Sequence, residues 1–189
     1  TVPDCAGDVA LGNGVLYIAG QKTGLHVAKA AEACAEIFPN EKLPVVPEMK
    51  PAVAIPGMSC YNPGSQVRRL AVDGDTLYAA CSHAGIRILR LTENGAEETG
   101  QIPVKCSCDV AIRNGKLYSA EGIDGLAVYS LAGDLQELGR WKRRGKTVQL
   151  LHLSDNGKFA LCGSRSGVLR AFDAVSYTHL RAHETSQDL

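Results

Sequence analysis

Four stretches of this chain align without a gap: Asp8–Ala30, Arg69–Leu91, Asp109–Leu131 and Leu151–Asp173. Each carries a turn dipeptide: Asn13-Gly14, Gly74-Asp75, Asn114-Gly115 or Asn156-Gly157. An apolar pair follows: Leu16-Tyr17, Leu77-Tyr78, Leu117-Tyr118 or Phe159-Ala160. A glycine closes the pattern at Gly24, Gly85, Gly125 and Gly167, in every copy 11 residues after the first turn residue. A spacing kept through all copies reports one structural unit used repeatedly.

The unit reads as strand, tight turn, strand, turn, strand. Val110 and Ile112 alternate with small or polar neighbours, as a strand with a buried face requires. Asn114-Gly115 supplies the positive φ of a two-residue hairpin. Leu117 to Ala120 is the second strand. Gly125 turns the chain again, and Leu126, Val128 and Ser130 share one face of the third strand. A more polar segment follows, as in Gln136–Trp141 or Thr99–Val104, and suits an outer edge strand.

Successive glycines lie 61, 40 and 42 residues apart. A period near 40 with four strands per unit is the pattern of a β-propeller blade, whereas solenoid coils are shorter. The expected fold is all-β, a partial β-propeller of about four blades, each a four-stranded antiparallel sheet. The repeats lie near residues 5–40, 64–105, 106–149 and 150–175. The longer first spacing holds an insertion at 41–63, where Pro44, Pro47, Pro51, Pro56 and Pro63 prevent regular ladder pairing. Ala28–Ile37 is Ala-rich and helix-compatible by propensity. The repeat instead makes it the end of strand three plus strand four.

Composition agrees with many tight turns: 20 glycines, 5% aromatic and 45% hydrophobic residues in 189. Lys+Arg and Asp+Glu are both 20, so no net field favours nucleic acid. No apolar run reaches the length of a membrane span. The chain starts at Thr1 without a signal-peptide pattern, and its start is expected to be processed or missing. Seven cysteines, an odd number, exclude complete internal pairing. Cys81 and Cys162 fall in strands and are read as small buried hydrophobes.

The motif Ala-Val/Ile-x-Asn/Gly-Gly/Asp-x-Leu-Tyr-x-Ala followed by Gly-Leu/Ile-x-Val/Ile resembles the LVIVD-type bacterial propeller repeat. Gly85-Ile86-Arg87-Ile88-Leu89 and Gly125-Leu126-Ala127-Val128-Tyr129 carry it best. It covers about residues 5–175 outside the Pro-rich stretch. The resemblance implies a propeller fold and an extracytoplasmic or cell-surface setting. Its motif residues are structural, so it assigns no functional residue. Val175–Ser186 (VSYTHLRAHETS) resembles translated sequencing-adaptor read-through of metagenomic origin. Residues 176–189 are therefore expected to be a non-native or disordered tail, with the natural protein continuing past 175.

The most site-like native feature is Cys106-Ser107-Cys108 followed by Asp109. Alternation places both thiols on one face, and Cys5 and Asp8 match Cys106 and Asp109 in the repeat. Thiolate and carboxylate together suit a soft metal or a redox pair, but Cys-x-Cys is not the usual metal spacing, so packing or a disulfide is expected. The loops between strands two and three add Gln21, Lys22, His83, Glu121, Asp124 and Arg165 to the same rim. A mixed-charge rim of this kind takes a polar ligand or a peptide. Trp141 to Lys146 is a short basic run, read as a solvated turn. His179 and His183 with Glu184 have zinc-like spacing on a helix but fall in the tail.

The chain has no Gly-x-Ser-x-Gly elbow, phosphate loop, His-Glu-x-x-His or EF-hand loop. The expected function is a non-catalytic binding or scaffold module of a larger bacterial propeller protein. Its partner is a protein, a carbohydrate or another polar ligand at the rim, and missing blades of its own chain complete the ring. No cofactor or metal is expected. The alternative is a propeller hydrolase, lactonase or lyase with its site in the channel.

Overall fold

The computed structural model describes residues 6–12, 15–20, 23–29, 59–92, 95–142, 144–164 and 167–174. Among these, every regular element is a β-strand, in four antiparallel sheets whose strands neighbour one another in chain order. The first sheet holds β1 (Ala6–Gly12), β2 (Val15–Gly20), β3 (Gly24–Lys29) and β4 (Ser59–Tyr61). The second holds β5 (Arg69–Asp73), β6 (Thr76–Ala80), β7 (Ile86–Thr92) and β8 (Gly95–Ile102). The third holds β9 (Asp109–Arg113), β10 (Lys116–Ala120), β11 (Leu126–Ser130) and β12 (Glu137–Trp141). The fourth holds β13 (Leu150–Leu153), β14 (Phe159–Gly163) and β15 (Leu169–Asp173). No helix among the described residues is long and apolar enough to cross a membrane.

The hairpins follow from the turn residues. Arg113 pairs with Lys116 around Asn114 and Gly115, whose φ values of 52° and 67° are those of a two-residue primed turn. Gly125 answers two demands at once. Its φ is +88°, and a β-carbon there would overlap the carbonyl oxygen of Trp141, where β12 ends beside the start of β11. Gly85 meets the carbonyl of Ile102 in the same way.

The core lies between successive sheets. One cluster joins the first and second sheets, including Tyr17, Leu25, Leu77 and Leu89. A second joins the second and third through Tyr78, Ile86, Leu117 and Tyr129. A third joins the third and fourth through Tyr118, Val128, Ala160 and Phe172. The central strands of the second and third sheets are therefore buried on both faces. On β10 and β11, Leu117, Ala127 and Tyr129 face the second sheet, while Tyr118, Ala120, Leu126 and Val128 face the fourth. Each buried Leu or Val contributes roughly 1.5–3 kcal/mol. The third cluster is fastened by Tyr118, whose hydroxyl donates to the Ala174 carbonyl at 3.1 Å, and by Trp141 edge-on to Phe172 with centroids 5.1 Å apart.

First strands of neighbouring sheets lie together: β1 beside β5, β5 beside β9, and β9 beside β13. In the second and third sheets, the loop after the second strand meets the connection into the next sheet. Ser82 bridges Ser107, and Gly122 bridges Val148.

Three sequence expectations change. First, the fourth strand of the first sheet is not in Ala28–Ile37. Ala28 and Lys29 end β3, residues 30–37 lie outside the described residues, and β4 pairs with β3 through Leu25 and Tyr61. Residues 30–58 thus lie between strands three and four of one sheet in the chain, and Ser59–Tyr61, inside the 41–63 stretch expected to be an unpaired insertion, is a strand. Second, the last copy is out of step with the gapless alignment. Leu153 pairs with Ala160 across a loop two residues longer than that between Ile112 and Leu117. The Ser164 N–H bonds the Val168 carbonyl as the Glu121 N–H bonds the Gly125 carbonyl, so Val168 and not Gly167 takes the place of Gly125. Third, the fourth sheet has three strands among the described residues. The 176–189 tail with His179, His183 and Glu184, together with Cys5, Cys34 and the four prolines from 44 to 56, lies outside them.

Candidate functional site

Pairing places Asp8, Arg69 and Asp109 at one position on consecutive first strands, opposite Ala19, Ala80 and Ala120. The acids reach forward to the next sheet. Asp8 Oδ2 accepts the Leu70 N–H at 2.8 Å, and Asp109 Oδ2 accepts the Leu151 N–H at 2.8 Å. Arg69 stands between them, with Nη1 3.6 Å from Asp8 Oδ1 and Nε 3.8 Å from Asp109 Oδ1. Arg69 is 40% exposed, so these looser ion pairs contribute on the order of 0–1 kcal/mol. Asp109 is buried, and burial raises its carboxyl to about pKa 6, with the Leu151 N–H and Arg69 pulling back less strongly.

Cys106 and Cys108 flank the Ser107 bridge with their sulfurs 3.7 Å apart, both free. The pair lies against Gly122, where an added β-carbon would be 3.9 Å from each sulfur. Burial, reinforced by Cys106, pushes the Cys108 thiol up to about 11. Cys162 on β14 and Cys81, one residue past the end of β6 rather than in a strand, are buried, and burial carries both to about 12.

The remaining rim residues divide. Glu121 is not a rim side chain: it is 1% exposed, receives the Tyr129 hydroxyl at 2.8 Å and is ion-paired with Arg140. Arg140 also binds Glu137, and its Nη1 donates to the Asp124 carbonyl at 3.4 Å. The Asp124 carboxylate pairs with Lys142, which holds its pKa below the ordinary value. His83 is exposed, with Nδ1 3.3 Å from the Lys105 carbonyl. Gln21, Lys22 and Arg165 lie outside the described residues. Among the described residues, no group of three or more His, Cys, Asp or Glu side chains is placed to hold a metal ion.

Between the acid–arginine row and the thiols is an open depression of about 200 Å³, lined by Gly7, Gln66, Arg68, Arg69, Cys108 and Gln149. Arg68, one of the lining residues, has its Nε buried without a hydrogen-bond partner. The sequence reading missed both arginines. Arg69 was findable, because it opens the second repeat copy where Asp8 and Asp109 open the first and third. Arg68 had no such signal.

No family model and no curated protein matches the chain. Among solved structures, it is similar to the computationally designed Ika4 protein, with TM-score 0.61 and 9% identity over 89% of this chain and 91% of that one. It is also similar to the computationally designed Ika8 protein, with TM-score 0.62 and 9% identity over 95% of this chain and 50% of that one. The chain thus spans half the length of Ika8, and at this identity the likeness is one of fold alone.

Proposed function

We propose that the four sheets are consecutive blades of a β-propeller arc, and that the arc is a binding module for an anionic polar ligand. Chain-ordered antiparallel sheets, a core between each successive pair and first strands lying side by side all support the arc. The LVIVD-type assignment of the repeats belongs to this reading. The ligand reading rests on one observation: Arg68, whose Nε is buried without a hydrogen-bond partner, lines the depression together with Arg69, Gln66 and Gln149. A buried guanidinium donor is costly without an acceptor, and a carboxylate or phosphate supplies a charge-assisted one. Calorimetric titration with citrate and with inorganic phosphate tests this. Saturable binding weakened about tenfold or more by Arg68→Met is expected. Absence of binding to either anion, or equal binding by the variant, overturns it.

A propeller hydrolase, lactonase or lyase remains the second reading, favoured by one observation: a buried carboxyl near pKa 6 at Asp109. Turnover of a lactone or ester abolished by Asp109→Asn supports it. Turnover unchanged in that variant refutes it.

A further inference from the structure

The two ends of the sheet stack carry apolar faces with no partner among the described residues. Leu169 pairs with Gly163 as Leu126 pairs with Ala120, Ile86 with Ala80 and Leu25 with Ala19. Leu25, Ile86 and Leu126 each lie in the core formed with the following sheet. Leu126 is 5% exposed, whereas Leu169 is 59% exposed. Leu150 and Phe159 project from the same face of the fourth sheet, opposite its core residues Ala160, Cys162 and Phe172, and are exposed with it. At the other end, Val9 and Leu11 occupy the places of Leu70 and Val72, or Val110 and Ile112, which pack against the preceding sheet. Val9 is 55% and Leu11 65% exposed.

We infer that a second copy of this chain docks head to tail, its first sheet on the fourth sheet of its neighbour. The contact repeats an arrangement the chain already makes at each of its sheet junctions: strand-one apolar residues of one sheet against the third-strand residues of the sheet before it. The two faces are different surfaces, so the interface is heterologous, and it either closes a ring or propagates. Closure rests on the propeller reading above. Two copies bring the described sheets to eight, the upper end of the usual propeller range of 4–8 blades, while three exceed it.

Sedimentation analysis of the full chain, with Val9→Glu and Leu169→Glu, tests the inference. Both sites are exposed, so each variant keeps its sheets, checked by an unchanged far-ultraviolet circular dichroism spectrum. The wild-type chain is expected to be a dimer at micromolar concentration. Each variant alone loses self-association by at least about 100-fold, since each interface then buries a charge. Mixed together they form a 1:1 heterodimer, because one copy keeps a good first sheet and the other a good fourth sheet. A face-to-face contact between identical fourth sheets instead leaves Val9→Glu dimeric and Leu169→Glu monomeric with no rescue on mixing, which overturns the inference. A wild-type monomer leaves the faces to further repeats of a longer chain and also overturns it. An open polymer that grows with concentration upholds the head-to-tail contact and counts against the ring, and so against the propeller reading alone.

Discussion

Asp109 and Leu151 join two sheets through a single bond, the carboxylate Oδ2 accepting the backbone N–H at 2.8 Å. Asp8 and Leu70 do the same two sheets earlier. A buried acid is thus used as a latch between first strands, with its charge only partly offset by Arg69. The latch needs an acceptor oxygen, not a charge.

That distinction fixes a pH dependence. The Asp109 pKa rises from 3.8 to about 6 on folding, so the folded chain binds a proton that the unfolded chain has released in this window. Its contribution to stability therefore falls as pH rises from about 4 to about 6, by at most about 3 kcal/mol, and is level above. Asp109→Asn keeps the acceptor and removes this slope, and at neutral pH it melts at or above the wild-type temperature. Asp109→Ala strands the Leu151 N–H and loses about 1–3 kcal/mol. Urea melts from pH 4 to 8 separate the two. A slope that survives in the Asn variant removes Asp109 as its source.

Gly125 and Gly115 both have positive φ, but only Gly125 faces a carbonyl, that of Trp141. Gly115→Ala is expected to cost about 1 kcal/mol, the ordinary penalty of the left-handed conformation. Gly125→Ala adds a steric clash with backbone and is expected to lose about 3 kcal/mol or more. Equal midpoints in chemical denaturation contradict the close approach of β12 to the start of β11.

Glu121 depends on Arg140. Arg140→Met leaves a buried carboxylate with only the Tyr129 hydroxyl, and is expected to destabilise by about 3 kcal/mol. Glu121→Gln, which keeps an acceptor for Tyr129, costs roughly 1 kcal/mol. The double variant should lose less than the sum of the two, because the stranded charge is gone. Additive losses in thermal denaturation rule out the coupling.

The cysteines divide by access. Among the described thiols, Cys106 is partly exposed, while Cys81, Cys108 and Cys162 are buried with raised pKa. Brief alkylation at about pH 8 should label Cys106 first and leave the other three protected until denaturant is added. Early labelling of Cys81 or Cys162, read by peptide mass spectrometry, contradicts their burial.

The strands were legible because their causes are local. Asn114-Gly115 dictates a hairpin, and the Leu-Tyr pairs mark a central strand whichever sheet they join. The β4 strand was not legible: Ser59–Tyr61 is short, and nothing in it announces that it pairs with Leu25 across the insertion. The slip in the last copy was hidden too, since Asn156-Gly157 and Gly167 keep the common spacing although hydrogen bonding shifts both loops. Of the site, the repeat exposed Asp8 and Asp109, and alternation paired Cys106 with Cys108. The inward turn of Glu121 toward Arg140 on another strand carries no sequence pattern, because it depends on three strands already being in place.

In the proposed propeller arc the first strands share one axis. A crystal structure of the chain tests it most directly. The expected result is β1, β5, β9 and β13 fanned about a common channel, with the Asp8–Arg69–Asp109 row at its mouth. First strands running side by side in a straight stack, with no common axis, would contradict it.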